Sequence, residues 1–251
     1  MGILKAKFGI LNDLPIYSTA WSGHLLFGYD LVKNIRPETL VELGSHRGHS
    51  TFSFAQAVKD NKLNTKIHAI DSWEGDKHAG NYGEEIFLGF KNLSNKFYKN
   101  IDIITHKMLF DNAVKEFEDN SIDILHIDGL HTYEAVKHDF KTWLPKVKKD
   151  TGIIMFHDIA EKRKDFGVYR LWDELKRKYS NIEFQHSHGL GVIFLNKEDN
   201  PLNFNTQKFL KRHYYLLSIK LFFEKTITVL LKQLMEKQKI QFNSLKLRRK
   251  N

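Results

Sequence analysis

Residues 40–50 read LVELGSHRGHS, and this stretch decides the fold. Residues 40–43 form a short apolar run with one acid, Glu42, and the run breaks into a glycine-containing turn at 44–48. A helical pattern of apolar side chains follows from residue 49. A strand, a glycine turn and a helix in this order open the nucleotide pocket of α/β sheets, because glycine lets the backbone approach a ligand closely. The stretch therefore predicts such a pocket, although a glycine turn without a ligand would have the same pattern.

A second apolar run, 66–70, ends in Asp71, 27 residues after the first glycine of the turn. An acid at the tip of the next strand is placed to bind ribose hydroxyls. The dinucleotide fingerprint G-x-G-x-x-G fails, because His46 and His49 stand at its second and third glycine positions. Glu42 would also repel a pyrophosphate, whereas a sulfonium and an ammonium group tolerate a carboxylate. The pattern favours S-adenosylmethionine over a dinucleotide.

Composition limits the class of protein. The chain has 251 residues, of which 41% are hydrophobic and 13% aromatic, as is typical of a folded chain with a sizeable core. It has no cysteine, which excludes a disulfide framework, a thiolate metal site and a cysteine nucleophile. The first residues lack the apolar segment of a signal peptide, and no run of about 18 uncharged apolar residues predicts a membrane span. We therefore expect a cytoplasmic protein.

Positive charge is concentrated in residues 201–251. The chain carries a formal net charge of +9, and 201–251 contain twelve Lys and Arg against two acids. Basic and apolar residues alternate there at helical spacing, which predicts a basic amphipathic helical tail. Such a tail contacts an anionic membrane surface, or it packs on its own domain or on a second copy of the chain. Residues 1–200 are nearly neutral, which argues against nucleic acid as a partner.

Strand-like and helix-like segments alternate between residues 20 and 195. This alternation predicts an α/β fold with a mostly parallel sheet, helices on both faces and, from the final strand pair, one antiparallel strand at the sheet edge. The predicted strands are 39–43, 66–71, 101–105, 122–127, 152–156, 182–186 and 190–195. Ligands of such folds bind at the carboxyl ends of the strands. The residues there are Glu42, Gly44, Asp71, His106, Asp128, His157 and Asp158, each of which alone would also serve as a polar strand end.

Four stretches together resemble one family. They are VELGSHRGHSTFSFAQAV from residue 41, AIDSWEGDKHAGNYGEEIF from 69, SIDILHIDGLHTYEAVKHDFKTWLPKV from 121 and GIIMFHD from 152. They resemble the class I S-adenosylmethionine-dependent methyltransferases of the bacterial branch that includes sugar O-methyltransferases and cephalosporin-hydroxylase-like proteins. The resemblance implies a Rossmann-like seven-stranded sheet whose last strand is antiparallel. We expect a methyltransferase domain at 1–200 and a helical extension at 201–251.

The resemblance also implies a cofactor site. In such enzymes the glycine turn lies under the methionine part of S-adenosylmethionine, and an acid orients the amino group. A second acid holds the ribose hydroxyls, with its neighbours near the adenosine. Carried over by motif, the cofactor-binding residues are Glu42, Gly44, Ser45, Gly48, Asp71, Ser72 and Trp73. His46 replaces a glycine of the commoner pattern, so its side chain must turn away from the cofactor.

Related sugar methyltransferases hold magnesium with an acid after the fourth strand and an acidic pair after the fifth. Asp128 matches the first position, and His157-Asp158 matches the second with a histidine in place of one carboxylate. This set predicts a divalent cation, magnesium or manganese. The two carboxylates suit magnesium, whereas the imidazole suits a softer ion such as manganese better. His131, in the loop after Asp128, is the predicted catalytic base, because an imidazole accepts a proton near neutral pH. A helix cap is its alternative role.

The predicted function is S-adenosylmethionine-dependent O-methylation of a sugar or glycan precursor of a surface polysaccharide or related saccharide. The acceptor is a small molecule or a lipid-linked saccharide, which a tail in contact with the inner membrane surface would meet there; a homo-oligomer is the arrangement in which the tail packs on a second copy of the chain. Two alternatives remain, an oxidoreductase or hydroxylase on the same fold and a non-catalytic membrane-associated module. The failed dinucleotide fingerprint argues against the first, and the intact Asp71 and Asp128 argue against the second.

Overall fold

A computed structural model describes residues 20–196, 212–217 and 219. The described chain starts with a 3-10 turn at Ala20–His24 and then alternates helices and strands. The elements are α1 (Leu25–Ile35), β1 (Thr39–Leu43), α2 (His49–Asp60), β2 (Lys66–Asp71), β3 (Gly75–Asp76), β4 (Gly80–Asn81), α3 (Glu84–Tyr98), β5 (Ile103–Lys107), α4 (Phe110–Ala113), β6 (Ile124–Ile127), α5 (Tyr133–Trp143), β7 (Ile153–His157), α6 (Val168–Leu175), β8 (Ser180–Phe184) and β9 (Leu190–Phe194). The predicted tail at 201–251 lies outside the described residues except for 212–217 and 219.

Seven strands form one sheet in the order β5-β2-β1-β6-β7-β9-β8. The pairs from β5 to β7 are parallel, and β9 is antiparallel to both β7 and β8. This confirms the predicted Rossmann-like sheet with an antiparallel last strand. The position of that strand differs from the expectation, because β9 lies inside the sheet and β8 forms its edge. After α6 the chain runs along the outer edge as β8, and the hairpin then folds β9 back into the gap beside β7.

Helix α5 shows how the sequence sets an element that borders the site. The hydroxyl of Thr132 accepts the Ala135 N–H at 3.3 Å and caps the first turn. Val136, Phe140 and Trp143 are buried on one face. The α-helix ends at Trp143, because a proline in the next turn cannot continue the hydrogen-bond ladder and the chain tightens into a 3-10 turn.

The core lies in two layers, one on each face of the sheet. The first layer packs under α1, α2 and α3 and includes Phe27, Phe52 and Phe54, all nearly inaccessible to solvent. The second layer packs under α5 and α6 and includes Trp143 and Trp172. Because both faces are covered, the central strands are mostly apolar, and the buried polar side chains within them, such as Glu42 and His126, are paired with each other.

Residues 212–217 are helical and pack on the first layer. Tyr214 is 7% exposed, and its hydroxyl donates to Asp30 Oδ2 at 2.8 Å. Its ring contacts Phe27 and Phe184 edge-on. This stretch therefore packs on its own domain, which was one of the alternatives for the tail. Among the described residues, no helix combines the length and apolar character needed to cross a membrane.

Candidate functional site

A cavity of about 830 Å³ opens at the carboxyl ends of the parallel strands. It brings together most of the predicted site residues, namely Gly44, Ser45, Asp71, Ser72, Asp128, His131, His157 and Asp158. Glu42, Gly48 and Trp73 are not part of its lining. His106, at the end of β5, lies outside the cavity and contacts His68 and Glu116 instead.

The glycine turn after β1 is fastened to both neighbouring strands. The N–H of Gly44 donates to the Ile70 carbonyl at 2.8 Å, and the Asp128 N–H donates to the Leu43 carbonyl at 2.8 Å. Gly44 has φ +93, and a Cβ atom there would lie 2.0 Å from the Asp128 carbonyl oxygen. The close approach of β6 therefore demands glycine at this position, whatever the pocket binds.

The hydroxyl of Ser45 is a polar group of the turn that has no hydrogen-bond partner among the described residues. Its side-chain oxygen is buried, although the residue lines the cavity. A buried hydroxyl without a partner is unfavourable, so a polar ligand in the cavity is its natural partner. The turn fits the amino acid end of a bound cofactor.

Asp71, at the end of β2, organises the loops on either side of it. Its Oδ2 accepts the His46 N–H at 2.9 Å, and its Oδ1 accepts the Trp73 N–H at 2.7 Å. Burial raises the pKa of the Asp71 carboxyl. The Trp73 indole N–H donates to the His46 carbonyl at 2.8 Å, while the His46 ring stacks on Tyr82 at 4.5 Å. Trp73 is thus a support beneath the pocket, and the His46 ring is held by Tyr82.

Glu42 lies behind the turn and has no exposed surface. One carboxylate oxygen accepts a hydrogen bond from the Thr51 hydroxyl, and the other lies 3.0 Å from His126 Nδ1. The Trp21 indole N–H donates to His126 Nε2 at 3.3 Å, so the proton of a neutral His126 is on Nδ1, toward Glu42. Both oxygens of Glu42 therefore have partners inside the protein. Its contact with a cofactor amino group stays a prediction.

His157 lies between two carboxylates at the ends of β6 and β7. Its Nδ1 is 3.3 Å from Asp128 Oδ1 and 3.2 Å from Asp158 Oδ2. Its Nε2 donates to the Ser187 carbonyl at 3.1 Å. Although burial opposes charge on the ring, the two carboxylates raise the pKa of His157 to about 10. Without a cation, an imidazolium here neutralises part of the carboxylate charge.

His131 is held by one of the same carboxylates. Its Nε2 lies 2.8 Å from Asp158 Oδ2 and 3.8 Å from Asp128 Oδ1. The ring stacks on Phe166 at 4.8 Å with an interplanar angle of 12°. Its Nδ1 is buried with no hydrogen-bond partner among the described residues. Burial opposes protonation, but the carboxylates outweigh it and raise the pKa of His131 to about 9.

Asp128, His157 and Asp158 fit a divalent cation. Each offers one ligand atom, and the three atoms lie within 4.8 Å of one another. A metal-binding histidine usually donates its second ring N–H to a carbonyl or carboxylate, and His157 does so to Ser187. Two oxygen donors with one imidazole suit manganese or zinc better than magnesium.

Asp139 on α5 is a cavity residue that the sequence analysis missed. It is 7% exposed and lines the cavity. Burial raises the pKa of its carboxyl to about 7, while His138 lowers this pKa and Asp111 raises it. The available signal was its position beside Phe140 on the otherwise apolar face of the helix.

Comparison with known proteins agrees with this fold. Residues 41–159 match a family described as a methyltransferase domain. A methyltransferase of Podospora anserina with bound S-adenosylhomocysteine superposes with a TM-score of 0.55 at 15% identity, covering 79% of this chain and 90% of that one. An O-methyltransferase of Bacillus cereus in complex with S-adenosylhomocysteine gives 0.53 at 12% identity, covering 77% and 92%. At these identities the likeness is one of fold.

A closer relative in sequence is the uncharacterised protein y4gI of Sinorhizobium fredii. It is 42% identical over 180 residues, which are 72% of this chain and 20% of the relative. The chain thus matches about a fifth of the length of that protein.

Proposed function

We propose that the chain is a class I S-adenosylmethionine-dependent methyltransferase that methylates a hydroxyl group of a sugar or glycan precursor; the match of residues 41–159 to a methyltransferase domain supports the first part. The observation that carries this proposal is the His131–Asp158 contact of 2.8 Å in the cavity that also contains the glycine turn and Asp71. An imidazole that a carboxylate orients, in a pocket that suits this cofactor, can act as the general base that an O-methyltransferase needs.

The cofactor half of the cavity is assigned to the ends of β1 and β2. Gly44 and Ser45 would hold the methionine end, with the unpartnered Ser45 hydroxyl as a hydrogen-bonding group. Asp71 and Ser72 would lie at the ribose and the adenosine. Glu42, Gly48 and Trp73 would act mainly from behind the lining, by fixing the shape of the turn and its loop.

The reaction needs a base. When bound, S-adenosylmethionine supplies an electrophilic methyl group, which leaves sulfur as the acceptor oxygen forms its new bond to carbon. The acceptor hydroxyl must lose its proton as that bond forms, and we assign the proton to Nδ1 of His131. Asp158 accepts a hydrogen bond from Nε2–H of the same ring, so that the lone pair is on Nδ1 and the imidazolium formed is stabilised.

The cation set is assigned to the other half of the cavity, which also contains His131, at the ends of β6 and β7. Asp128, Asp158 and His157 would hold a divalent ion, which would polarise an acceptor oxygen. The carboxylates that raise the pKa of His131 are then compensated, so the ring more readily loses its proton and acts as a base near neutral pH. The metal and the base are therefore complementary parts of one site.

A saccharide acceptor is supported by the character of the remaining lining. Arg47, Glu134 and Arg163 border the cavity along with the aromatic ring of Phe166. Charged groups that form hydrogen bonds suit a polyhydroxylated ring better than an extended apolar molecule.

The tail suggests where the acceptor is met. We propose that the basic residues of 201–251 contact an anionic membrane surface, where a lipid-linked saccharide would be available. Tyr215 and Leu216 are exposed on the described part of this segment, and they extend its apolar character to the surface. Packing of the tail on a second copy of the chain, as in a homo-oligomer, is the competing outcome.

Calorimetry and methyl transfer test the function. S-Adenosylhomocysteine should bind, whereas NAD and 2-oxoglutarate should not. Radiolabelled methyl transfer from S-adenosylmethionine to nucleotide sugars and lipid-linked saccharides should identify the acceptor.

His131→Ala should then keep S-adenosylhomocysteine binding and lose on the order of 10²–10⁴ in turnover, the usual contribution of a positioned base. His138→Ala is the matched control, since this histidine is exposed and paired with Asp111. Equal loss in both variants would refute the assignment of His131.

A further inference from the structure

The loop between β8 and β9 has an unusual backbone. Ser187, His188 and Gly189 have φ angles of 51°, 64° and 88°, so three successive residues adopt the left-handed region. Two of the three carry side chains, for which this region is unfavourable. Such a conformation persists only where surrounding groups hold it.

The groups that hold the loop come from two sides. The His186 ring lies 3.2 Å from the Gly23 carbonyl through Nε2, which fastens the loop to the 3-10 turn Ala20–His24. On the other side, the Ala160 N–H donates to the His188 carbonyl at 2.9 Å. These contacts aim the Ser187 carbonyl at the interior of the site.

The Ser187 carbonyl meets two imidazoles there. His157 Nε2 lies 3.1 Å from it and His24 Nε2 lies 3.2 Å from it. A carbonyl oxygen only accepts hydrogen bonds, so both rings donate an N–H to it. His24 is completely buried, and its Nδ1 has no hydrogen-bond partner within the described part of the chain. Among the described residues, the ring of His24 therefore has one hydrogen-bond partner, the Ser187 carbonyl.

We propose that His24 is a positioning residue for the cation site: by anchoring the Ser187 carbonyl on His157 Nε2–H, it keeps His157 Nδ1 turned toward Asp128 and Asp158. The inference rests on the cation site of the proposed function. It adds a residue more than a hundred positions away from the ligands in sequence, in the 3-10 turn Ala20–His24.

The physical reason lies in the geometry of an imidazole ligand. A histidine binds a cation through a ring nitrogen without a proton, and a hydrogen bond from the other nitrogen fixes both the tautomer and the ring orientation. Here the acceptor of that bond belongs to a loop in an unfavourable conformation. With the His24 N–H removed, the loop loses one of the contacts that oppose its relaxation, and His157 loses its fixed direction.

Manganese binding measures this effect directly. His24→Phe keeps an aromatic ring against Trp21 and Phe184 but removes the N–H donor. His24→Gln restores a donor at nearly the same position. Titration of the full chain with Mn²⁺ at constant pH, followed by electron paramagnetic resonance, should show affinity lowered about 10-fold in the Phe variant, the lower end of the effect of outer partners of metal ligands. The Gln variant should recover most of that loss, and nitrogen modulation of the Mn²⁺ spin echo should weaken only in the Phe variant.

A second variant tests the inference even if His24→Phe fails to fold. Gly189→Ala disturbs the loop without touching His24, because a Cβ atom there would lie 2.7 Å from the Ala160 nitrogen. It should lower Mn²⁺ affinity as the Phe variant does. S-Adenosylhomocysteine affinity, measured by calorimetry, should stay unchanged in all three variants.

Several results would overturn the inference. Unchanged Mn²⁺ affinity in His24→Phe would do so, as would a Gln variant no better than the Phe variant, or a wild type that binds no Mn²⁺. A parallel fall in S-adenosylhomocysteine affinity would show a general structural role instead. Failure of the wild type to bind S-adenosylhomocysteine would refute the proposed function, while leaving the Mn²⁺ comparison to decide the role of His24.

Discussion

Replacement of Asp71 by Ala tests the cofactor pocket without knowledge of the acceptor. The carboxylate accepts two backbone N–H groups, those of His46 and Trp73, and would also accept ribose hydroxyls. Its loss removes hydrogen bonds to a charged group, each of which contributes about 1.5–3 kcal/mol. Loss of the ribose contact alone should weaken S-adenosylhomocysteine binding about 10- to 150-fold.

Asp76→Asn provides a control with the same local role. Asp76 also lines the cavity, and its Oδ1 accepts two backbone N–H groups, from His78 at 2.6 Å and Ala79 at 2.8 Å. It has no predicted contact with the ribose. Isothermal titration calorimetry should therefore separate the two variants, with near-normal affinity for Asp76→Asn. Normal affinity in Asp71→Ala, or equal losses in both variants, would refute the placement of the ribose.

Three further predictions concern stability and the tail. Gly44→Ala should lower the free energy of unfolding by about 3–5 kcal/mol in urea titrations, because it adds a backbone clash to an unfavourable φ. Gly80→Ala has a similar φ of +82 but open space, and it should lose only about 1–2 kcal/mol. For Asp139 the folded-state pKa of about 7 lies above the ordinary value of 3.8, so its favourable contribution is present below about pH 4 and is lost as pH rises through 7. Asp139→Asn should match the wild type at pH 4 and exceed its stability by on the order of 3 kcal/mol at pH 8; a constant difference would contradict this. Deletion of 218–251, which retains Tyr214, should leave S-adenosylhomocysteine affinity intact and weaken salt-sensitive binding to anionic liposomes. Unchanged liposome binding would remove the membrane proposal.

The central strands and the location of the cavity at their carboxyl ends follow from patterns that are local in sequence. Apolar runs followed by glycine, an acid or a histidine predicted β1, β2, β6 and β7 closely, since a strand buried on both faces reads as a largely apolar run. The position of β9 between β7 and β8 was not predictable, because a hairpin satisfies its own pairing whichever strand meets the sheet. That choice depends on long-range packing.

The site was predictable to the level of which residues meet, but not how they meet. Glu42 was expected at the cofactor, yet its oxygens face Thr51 and His126, which come from α2 and β6. Nothing in the local pattern around His126 distinguishes a buried partner of a carboxylate from a surface histidine. The same holds for His24, whose contact with Ser187 joins residues 163 positions apart.

Substitutions of Asp158 and of Asp128 should have different effects, because Asp158 lies near both histidines whereas Asp128 lies near only one of them. Asp158 contacts both His131, at 2.8 Å, and His157, at 3.2 Å. Asp128 lies 3.3 Å from His157 but 3.8 Å from His131, beyond hydrogen-bond distance.

Asp128→Asn should therefore reduce Mn²⁺ affinity while His131 stays oriented, so that turnover recovers in part at high metal concentration. Asp158→Asn should reduce Mn²⁺ affinity and also deprive the His131 imidazolium of its negatively charged partner, because an amide oxygen accepts the hydrogen bond but carries no charge, so that turnover stays low however much metal is added. The measurement is turnover against metal concentration with the acceptor that the methyl-transfer screen identifies. If both variants recover to the same degree, the contact between Asp158 and His131 has no part in proton transfer, and the cation alone activates the hydroxyl.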